Sequence, residues 1–341
     1  MRVGVIGCGF FAGNHLRGWQ EVEGARVTAI CDSDPERLEA AVDIAGHDVQ
    51  RFRDADDMLG SGLVDFVDII TPPHTHCALI RAAAAAGVPA IVQKPLSLDL
   101  KEAEEAVAMM EARGLPLMVH ENFRFQAPMR RLLDVVRGGE IGRPTYARVA
   151  FRTAWDIYAG QPYLADLERF ILFDVGVHVV DLIRSVLGDV VRVSCETDSI
   201  RPGITGEDSA TLLLRHENGA IGVVECSYAS PVPGDPFPQF HVTVEGTDGA
   251  VVLAPDLGVT IRKGAGEHRE VIKPEVLPWM EPPWEVVQDS VIAIQRHWLD
   301  CLSARRETET SGRDNLQTLR VIEAAYRAAG SGRAERPVAA T

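Results

Sequence analysis

Apolar positions up to residue 122 fall into two alternating patterns. Short runs at 2–6, 26–31, 66–70, 90–93 and 117–120 read as strands. Between them, residues 14–22, 35–45, 76–86 and 99–113 carry helical runs; Pro35 suits a helix's first turn and Gly87 closes the alanine run 82–86. Strand–helix alternation of this kind predicts parallel strands with crossover helices, an α/β doubly wound sheet.

The pattern changes later in the chain. Runs at 191–193, 210–215, 220–228, 239–245 and 250–253 read as strands, and Asn218-Gly219 and Asp248-Gly249 sit between paired runs as hairpin signals. Helices are predicted at 177–187, 289–304 and 314–329, and the proline-rich stretches 231–238 and 274–283 as loops. The second half is therefore expected to be α+β, with an antiparallel sheet. The seam falls after residue 122, giving domains 1–122 and 123–341, with the closing helices able to pack back on the first domain.

Length and charge narrow the function. A chain of 341 residues exceeds the ~250–300 beyond which single cores rarely grow, so two cores are expected. The 34 basic and 49 acidic residues give a net charge of −15, which repels polyanions and argues against a nucleic-acid partner. No apolar run approaches the ~20 residues that span a bilayer, and the N-terminal run lacks a signal peptide's cleavage pattern. The cysteines Cys8, Cys31, Cys77, Cys195, Cys226 and Cys301 are scattered without a C-x-x-C pair, as expected of reduced thiols in the cytoplasm.

Gly7-Cys8-Gly9-Phe10-Phe11-Ala12 is G-x-G-x-x-A between a predicted strand and a predicted helix, the context of a dinucleotide turn. Gly7 permits the tight turn, Gly9 lets backbone approach a pyrophosphate, and Ala12 lets helix pack on strand. The helix N-terminus offers free N–H groups to phosphates. Asp32, at the end of the second strand, can accept hydrogen bonds from the ribose hydroxyls and would repel a 2′-phosphate, so NAD is expected over NADP. Ser33 and Arg37 would serve NADP only if Asp32 turned away.

Lys94 follows a parallel strand, at the end where ligands bind. Asp174 and His178, four apart, can share one face at a helix start. A lysine, a histidine and a carboxylate near a nicotinamide suit alcohol oxidation, in which a base takes the hydroxyl proton as hydride leaves. These segments, with Thr71-Pro72 and His76, resemble the Gfo/Idh/MocA oxidoreductases over essentially the whole chain. The resemblance implies a Rossmann domain, a second domain with an open, mostly antiparallel sheet, and a sugar or polyol substrate. It further implies that Lys94 is the catalytic lysine, His178 the acid–base group and Asp174 a substrate-binding acid. Thr71, Pro72 and His76 would then lie along the nicotinamide side, with Phe10, Phe11 and Gln93 completing the cofactor site. The family's usual glutamate before the lysine is Gln93 here, so the charge beside Lys94 is absent.

Runs around Gly9–Leu16, 91–95, 118–126, 297–302 and 310–316 resemble a subgroup whose members oxidise a branched aldopentose to its lactone or acid. Asn122, Arg124, Arg152 and Tyr158 are candidates for binding substrate hydroxyls, with a bridge between domains as the alternative for Arg124. His74, His76 and Cys77 lack zinc-ligand spacing, and His120-Glu121 lacks the second histidine of a zinc-protease motif, so no metal is expected. The alternatives are another aldose or inositol dehydrogenase, a non-catalytic NAD sensor, or an enzyme that retains its NAD through transient oxidation. An open sheet face predicts a homodimer or homotetramer.

Overall fold

The first strands, apart from a short edge strand at Gln50–Phe52, are apolar and mostly buried, so both faces of their sheet need cover. They are β1 (Arg2–Ile6), β2 (Arg26–Cys31), β3 (Gln50–Phe52), β4 (Phe66–Ile69), β5 (Ala90–Gln93) and β6 (Leu117–His120), in the order β3-β2-β1-β4-β5-β6. Every neighbouring pair is parallel. The winding reverses between β1 and β4, so the chain leaving both strands flanks the crevice where open α/β sheets bind ligands.

The crossovers are α1 (Ala12–Gln20), α2 (Pro35–Ala45), α3 (Ala55–Gly60), α4 (Pro73–Ala86) and α5 (Leu100–Ala112). Asp34, Asp54 and Asp99 cap α2, α3 and α5 by accepting from first-turn N–H groups.

The computed structural model describes residues 1–232 and 234–340, so Pro233 of the 231–238 loop and Thr341 lie outside the described residues. Two units emerge. Unit 1 holds Met1–Asn122 and Gln288–Leu316; unit 2 holds Phe123–Val287 and Gln317–Val338. In unit 1 the later segment returns to the sheet. Trp298 of α9 (Glu285–Ala304) meets Phe66 edge to face, and Thr310 exchanges hydrogen bonds with Val119, covering the edge of β6.

Unit 2 contains α6 (Ala127–Arg137), β7 (Pro144–Arg152), α7 (Ile157–Gly160) and α8 (Val177–Leu187), then seven strands. The strands are β8 (Val190–Asp198), β9 (Ser209–His216), β10 (Ile221–Ser227), β11 (His241–Gly246), β12 (Gly249–Leu253), β13 (Gly258–Lys263) and β14 (Gly266–Val271). Most of α10 (Gly312–Ser331) belongs here as well. The sheet order is β14-β13-β12-β11-β7-β10-β9-β8. Only β7 and β10 pair in parallel; the other neighbours are antiparallel.

One face of this sheet carries α8, which is buried almost throughout. The other face is open, and residues alternate across the two. Leu213 and Ile221 are exposed on the open face, but they share it with a two-point Arg148–Glu225 ion pair. Its surface is therefore mixed rather than uniformly apolar.

Several elements are absent from the sequence reading. β3 is three residues long, and β14 is a polar, largely exposed edge strand. α3, β7 and β13 are absent from it too, as is α6, although its Met129, Leu132, Leu133 and Val136 recur at helical spacing.

Candidate functional site

In unit 1, β1 delivers the chain to Gly7 at φ +98°. A Cβ there would stand 2.8 Å from the backbone of Ile70 and 2.9 Å from Thr71 Cγ2, so only glycine lets the turn pass this close to the end of β4. At Gly9 a Cβ would meet nothing within 4 Å, so the space in front of the backbone is open. No side chain caps the start of α1, and Phe10 is 82% exposed. Uncapped N–H groups facing an open cradle fit a dinucleotide's pyrophosphate. Asp32 stands beside it. Its Oδ2 accepts from Cys8 N at 2.8 Å and its Oδ1 from Asp34 N at 2.9 Å. Each oxygen keeps a lone pair for a ribose hydroxyl. The acid thus also braces the glycine turn.

Lys94 directly follows β5. Its N–H donates to the Gln93 side-chain Oε1 at 2.8 Å, and Gln93 Nε2 lies 3.0 Å from His15 Nε2. His15 Nδ1 is 2.8 Å from Asp68 Oδ2, which also accepts from Trp19 Nε1 at 2.7 Å. The side chain of Gln93 therefore sits within unit 1, between Lys94 and His15. His76 is also buried. Its Nδ1 is 2.9 Å from the Pro95 carbonyl and its Nε2 is 2.8 Å from the Thr71 carbonyl. Burial holds its pKa below the usual value of 6.5. With both nitrogens near backbone oxygens, His76 joins the turns after β4 and β5. Pro72 is the extended residue just before α4, and Thr71 Oγ1 accepts from Thr75 at 2.6 Å. Asn122 is buried, and its Nδ2 donates to Ser290 Oγ at 2.8 Å.

In unit 2, Asp174 lies in a π-helical turn, Leu172–Gly176, that runs directly into α8 and His178. Such turns are uncommon and often mark functional positions. Glu207 holds the turn by accepting from Phe170 N at 3.2 Å, Leu172 N at 3.3 Å and Tyr326 Oη at 2.6 Å. Tyr228 Oη donates to Asp174 Oδ2 at 2.8 Å. Burial, with the Asp174 charge added, raises the phenol's pKa well above 10, so it remains a donor. The His178 ring stacks on Phe123, with centroids 4.0 Å apart and planes at 25°.

The other substrate candidates separate. Tyr158 belongs with this group: its ring and that of Tyr228 each lie 5.7 Å from Phe170. Its Oη is buried without a hydrogen-bond partner among the described residues, and burial pushes its pKa up to about 12. Arg124 is buried, with Nε and Nη2 on the two oxygens of Asp181, so it braces α8 instead of offering an open donor. Arg152 is not brought to Asp174. Alternation along β7 puts it on the open face beside Glu225, at 4.0 Å, whereas Gly222 and Ala147 face α8.

The residues missed from sequence are mostly buried supports: His15, Asp68, Phe123, Glu207 and Tyr228. Asp68 had a signal, a charge inside the apolar run 66–70. The others depend on long-range contacts. Among the described residues, no group of three or more His, Cys, Asp or Glu could hold a metal ion, no helix is long and apolar enough to cross a membrane, and all six cysteines are buried and unpaired.

Two family models match the chain. An oxidoreductase family with an NAD-binding Rossmann fold matches residues 1–121, and the GFO/IDH/MocA C-terminal domain matches residues 129–252. The D-apiose dehydrogenase of Paraburkholderia graminis is 47% identical over 96% of this chain and 88% of that protein. The D-apiose dehydrogenase of Rhizobium rhizogenes is 44% identical over 96% of this chain and 95% of that protein. An oxidoreductase from Agrobacterium radiobacter, solved in complex with NAD+, L-tartaric acid and magnesium, superposes with a TM-score of 0.96 at 43% identity, covering 98% of both chains.

Proposed function

The chain belongs to the Gfo/Idh/MocA oxidoreductase family, and we propose that it oxidises D-apiose, a branched aldopentose, to its lactone with NAD. The observation that carries the substrate is the 44–47% identity, across almost the whole chain, to two D-apiose dehydrogenases. Oxidation removes a hydride from the carbon and a proton from the hydroxyl oxygen. NAD, when bound, supplies the hydride acceptor. The chain's own residues handle the hydroxyl. Lys94 orients the oxygen, and His178, its ring plane fixed by Phe123, accepts the proton. Asp174, bonded by Tyr228, receives a neighbouring hydroxyl, and the buried Tyr158 Oη supplies another hydrogen bond to the sugar. A neutral polyol suits a protein of net charge −15 better than a phosphorylated sugar. Asp32, beside the glycine turn, favours NAD over NADP.

The test is nicotinamide reduction with a panel of aldoses and cyclitols. D-apiose is expected to give the highest kcat/KM, with formation of lactone. A panel member at least about tenfold better, a difference of ~1.4 kcal/mol in transition-state stabilisation, overturns the substrate. Stoichiometric NAD binding without reduction by any member overturns the enzyme.

The buried thiols suit the reducing cytoplasm. Leu213 and Ile221 on the open face suit a contact with a second copy, as homodimer or homotetramer. A monomer by light scattering at micromolar concentration overturns that assembly.

A further inference from the structure

We infer that Lys94 is aligned by a buried hydrogen-bonded relay, Asp68–His15–Gln93, in which His15 and Gln93 are positioning residues and a single backbone N–H dictates the direction of every bond. The inference rests on the proposed role of Lys94. Lys94 N can only donate, so the Gln93 atom 2.8 Å from it must be the carbonyl Oε1. The amide nitrogen then faces His15 Nε2 at 3.0 Å and must donate, so His15 Nε2 accepts. The ring proton therefore sits on Nδ1, and it donates to Asp68 Oδ2 at 2.8 Å. No freedom remains in the amide flip or the tautomer. His15, Asp68 and Gln93 are buried, so reversing one bond would leave polar atoms unsatisfied in the core.

The groups around the ring are few. Asp68 comes from β4, Gln93 from β5 and His120 from β6, its ring centroid 4.2 Å away. Phe11, just before α1, meets the ring edge to face at 5.5 Å, and Trp19 of α1 bonds the same Asp68 oxygen. From α9, Gln295 Nε2 donates to the His15 carbonyl at 3.1 Å.

An amide at position 93 thus lets the relay run through a neutral imidazole. A glutamate there could only accept. One of its oxygens would still receive Lys94 N, and the other would face His15 Nε2 and demand a second ring proton. The relay would then hold only while His15 is an imidazolium between two carboxylates.

The experiment is Gln93→Glu with ring ¹⁵N spectroscopy and pH profiles. In the wild type, the His15 ring (identified by its absence in His15→Asn) is expected as the single tautomer with Nδ1 protonated and Nε2 bare. In Gln93→Glu it is expected to show a doubly protonated form, because the carboxylate facing Nε2 can only accept. The kcat of that variant should approach wild type on the acid side and fall about tenfold as the second proton leaves, with KM for the sugar unchanged. A wild-type ring with Nε2 protonated overturns the relay. So does a Gln93→Glu profile that overlays the wild type while His15 stays neutral. If the variant does not fold, the wild-type tautomer alone decides. A Lys94→Ala protein with undiminished turnover overturns the lysine's role, and the ring spectra still decide the relay.

Discussion

Lys94 in unit 1 stands where a buried parallel strand ends, and its supports come from the neighbouring strands and the first helix: Gln93, His15 and Asp68. Asp174 in unit 2 stands in a π turn rather than at the end of a strand, although Tyr228, which bonds it, directly follows β10. Its supports arrive from far along the chain: Glu207 on the turn's backbone, Tyr228 on the carboxylate and Phe123 on the following histidine. A parallel sheet aligns all its strand ends at one edge, so topology alone gathers functional groups there. An antiparallel sheet alternates its strand ends between two edges. A site built against it needs dedicated side-chain contacts, and a loss in either unit should therefore carry a different signature.

The largest effects are expected at the groups proposed to touch the substrate. Lys94→Ala and His178→Ala should each lower kcat about 10³- to 10⁴-fold with the thermal midpoint little changed. If one variant retained turnover within a few-fold of wild type, the chemistry would reside in one unit only, and the two-part reading would fail.

Next comes the brace of α8. Arg124 and Asp181 form a buried two-point pair, and removing Arg124 takes two charge-assisted hydrogen bonds from a buried carboxylate. Arg124→Ala should lower unfolding free energy by about 3 kcal/mol, read from denaturant titration. An unchanged stability with a raised KM would instead make Arg124 a substrate contact, as the sequence allowed.

Smaller still is the support of the acid. Tyr228→Phe removes the hydrogen bond to Asp174 without changing volume. A hydrogen bond to a charged group contributes about 1.5–3 kcal/mol, so kcat/KM for the sugar should fall roughly 10- to 100-fold. NAD affinity should not move. A loss of NAD affinity equal to the loss in sugar kcat/KM would show that Tyr228 supports the whole fold rather than the acid.

This contrast explains what the sequence disclosed. The glycine turn, Asp32 and Lys94 were legible because each lies within a few residues of the strand that positions it, and the spacing is itself the geometry. Asp174 and His178 were legible as a local motif within a resemblance. Their supports were not, because no pattern within residues 172–178 refers to positions 123, 207, 228 or 326. The place of Arg152 beside Glu225 was not legible for a different reason: a period of two decides which face a residue joins, and β7 mixes polar and apolar positions on both faces. Gln93 read as an isolated departure until His15 supplied its partner.

The smallest expected effect compares one buried histidine in each unit. His76 and His216 both have pKa values lowered below 6.5, chiefly by burial. His76 has both nitrogens near backbone carbonyls and His216, among the described residues, has Nδ1 alone on the Gly188 carbonyl at 2.7 Å; these contacts favour the charged ring, but burial outweighs them in both. The folded state therefore binds these protons less readily than the unfolded chain. Their contribution to stability is complete above about pH 6.5 and is lost as pH falls through the lower folded values, because the unfolded chain takes up its protons first. Each histidine can add a slope of at most about 1.4 kcal/mol per pH unit across that window. Urea midpoints measured on either side of pH 6.5 should fall on the acid side in the wild type. His76→Gln and His216→Gln should each flatten part of that slope, and a wild-type stability flat through this range would show that neither ring is held neutral by its burial.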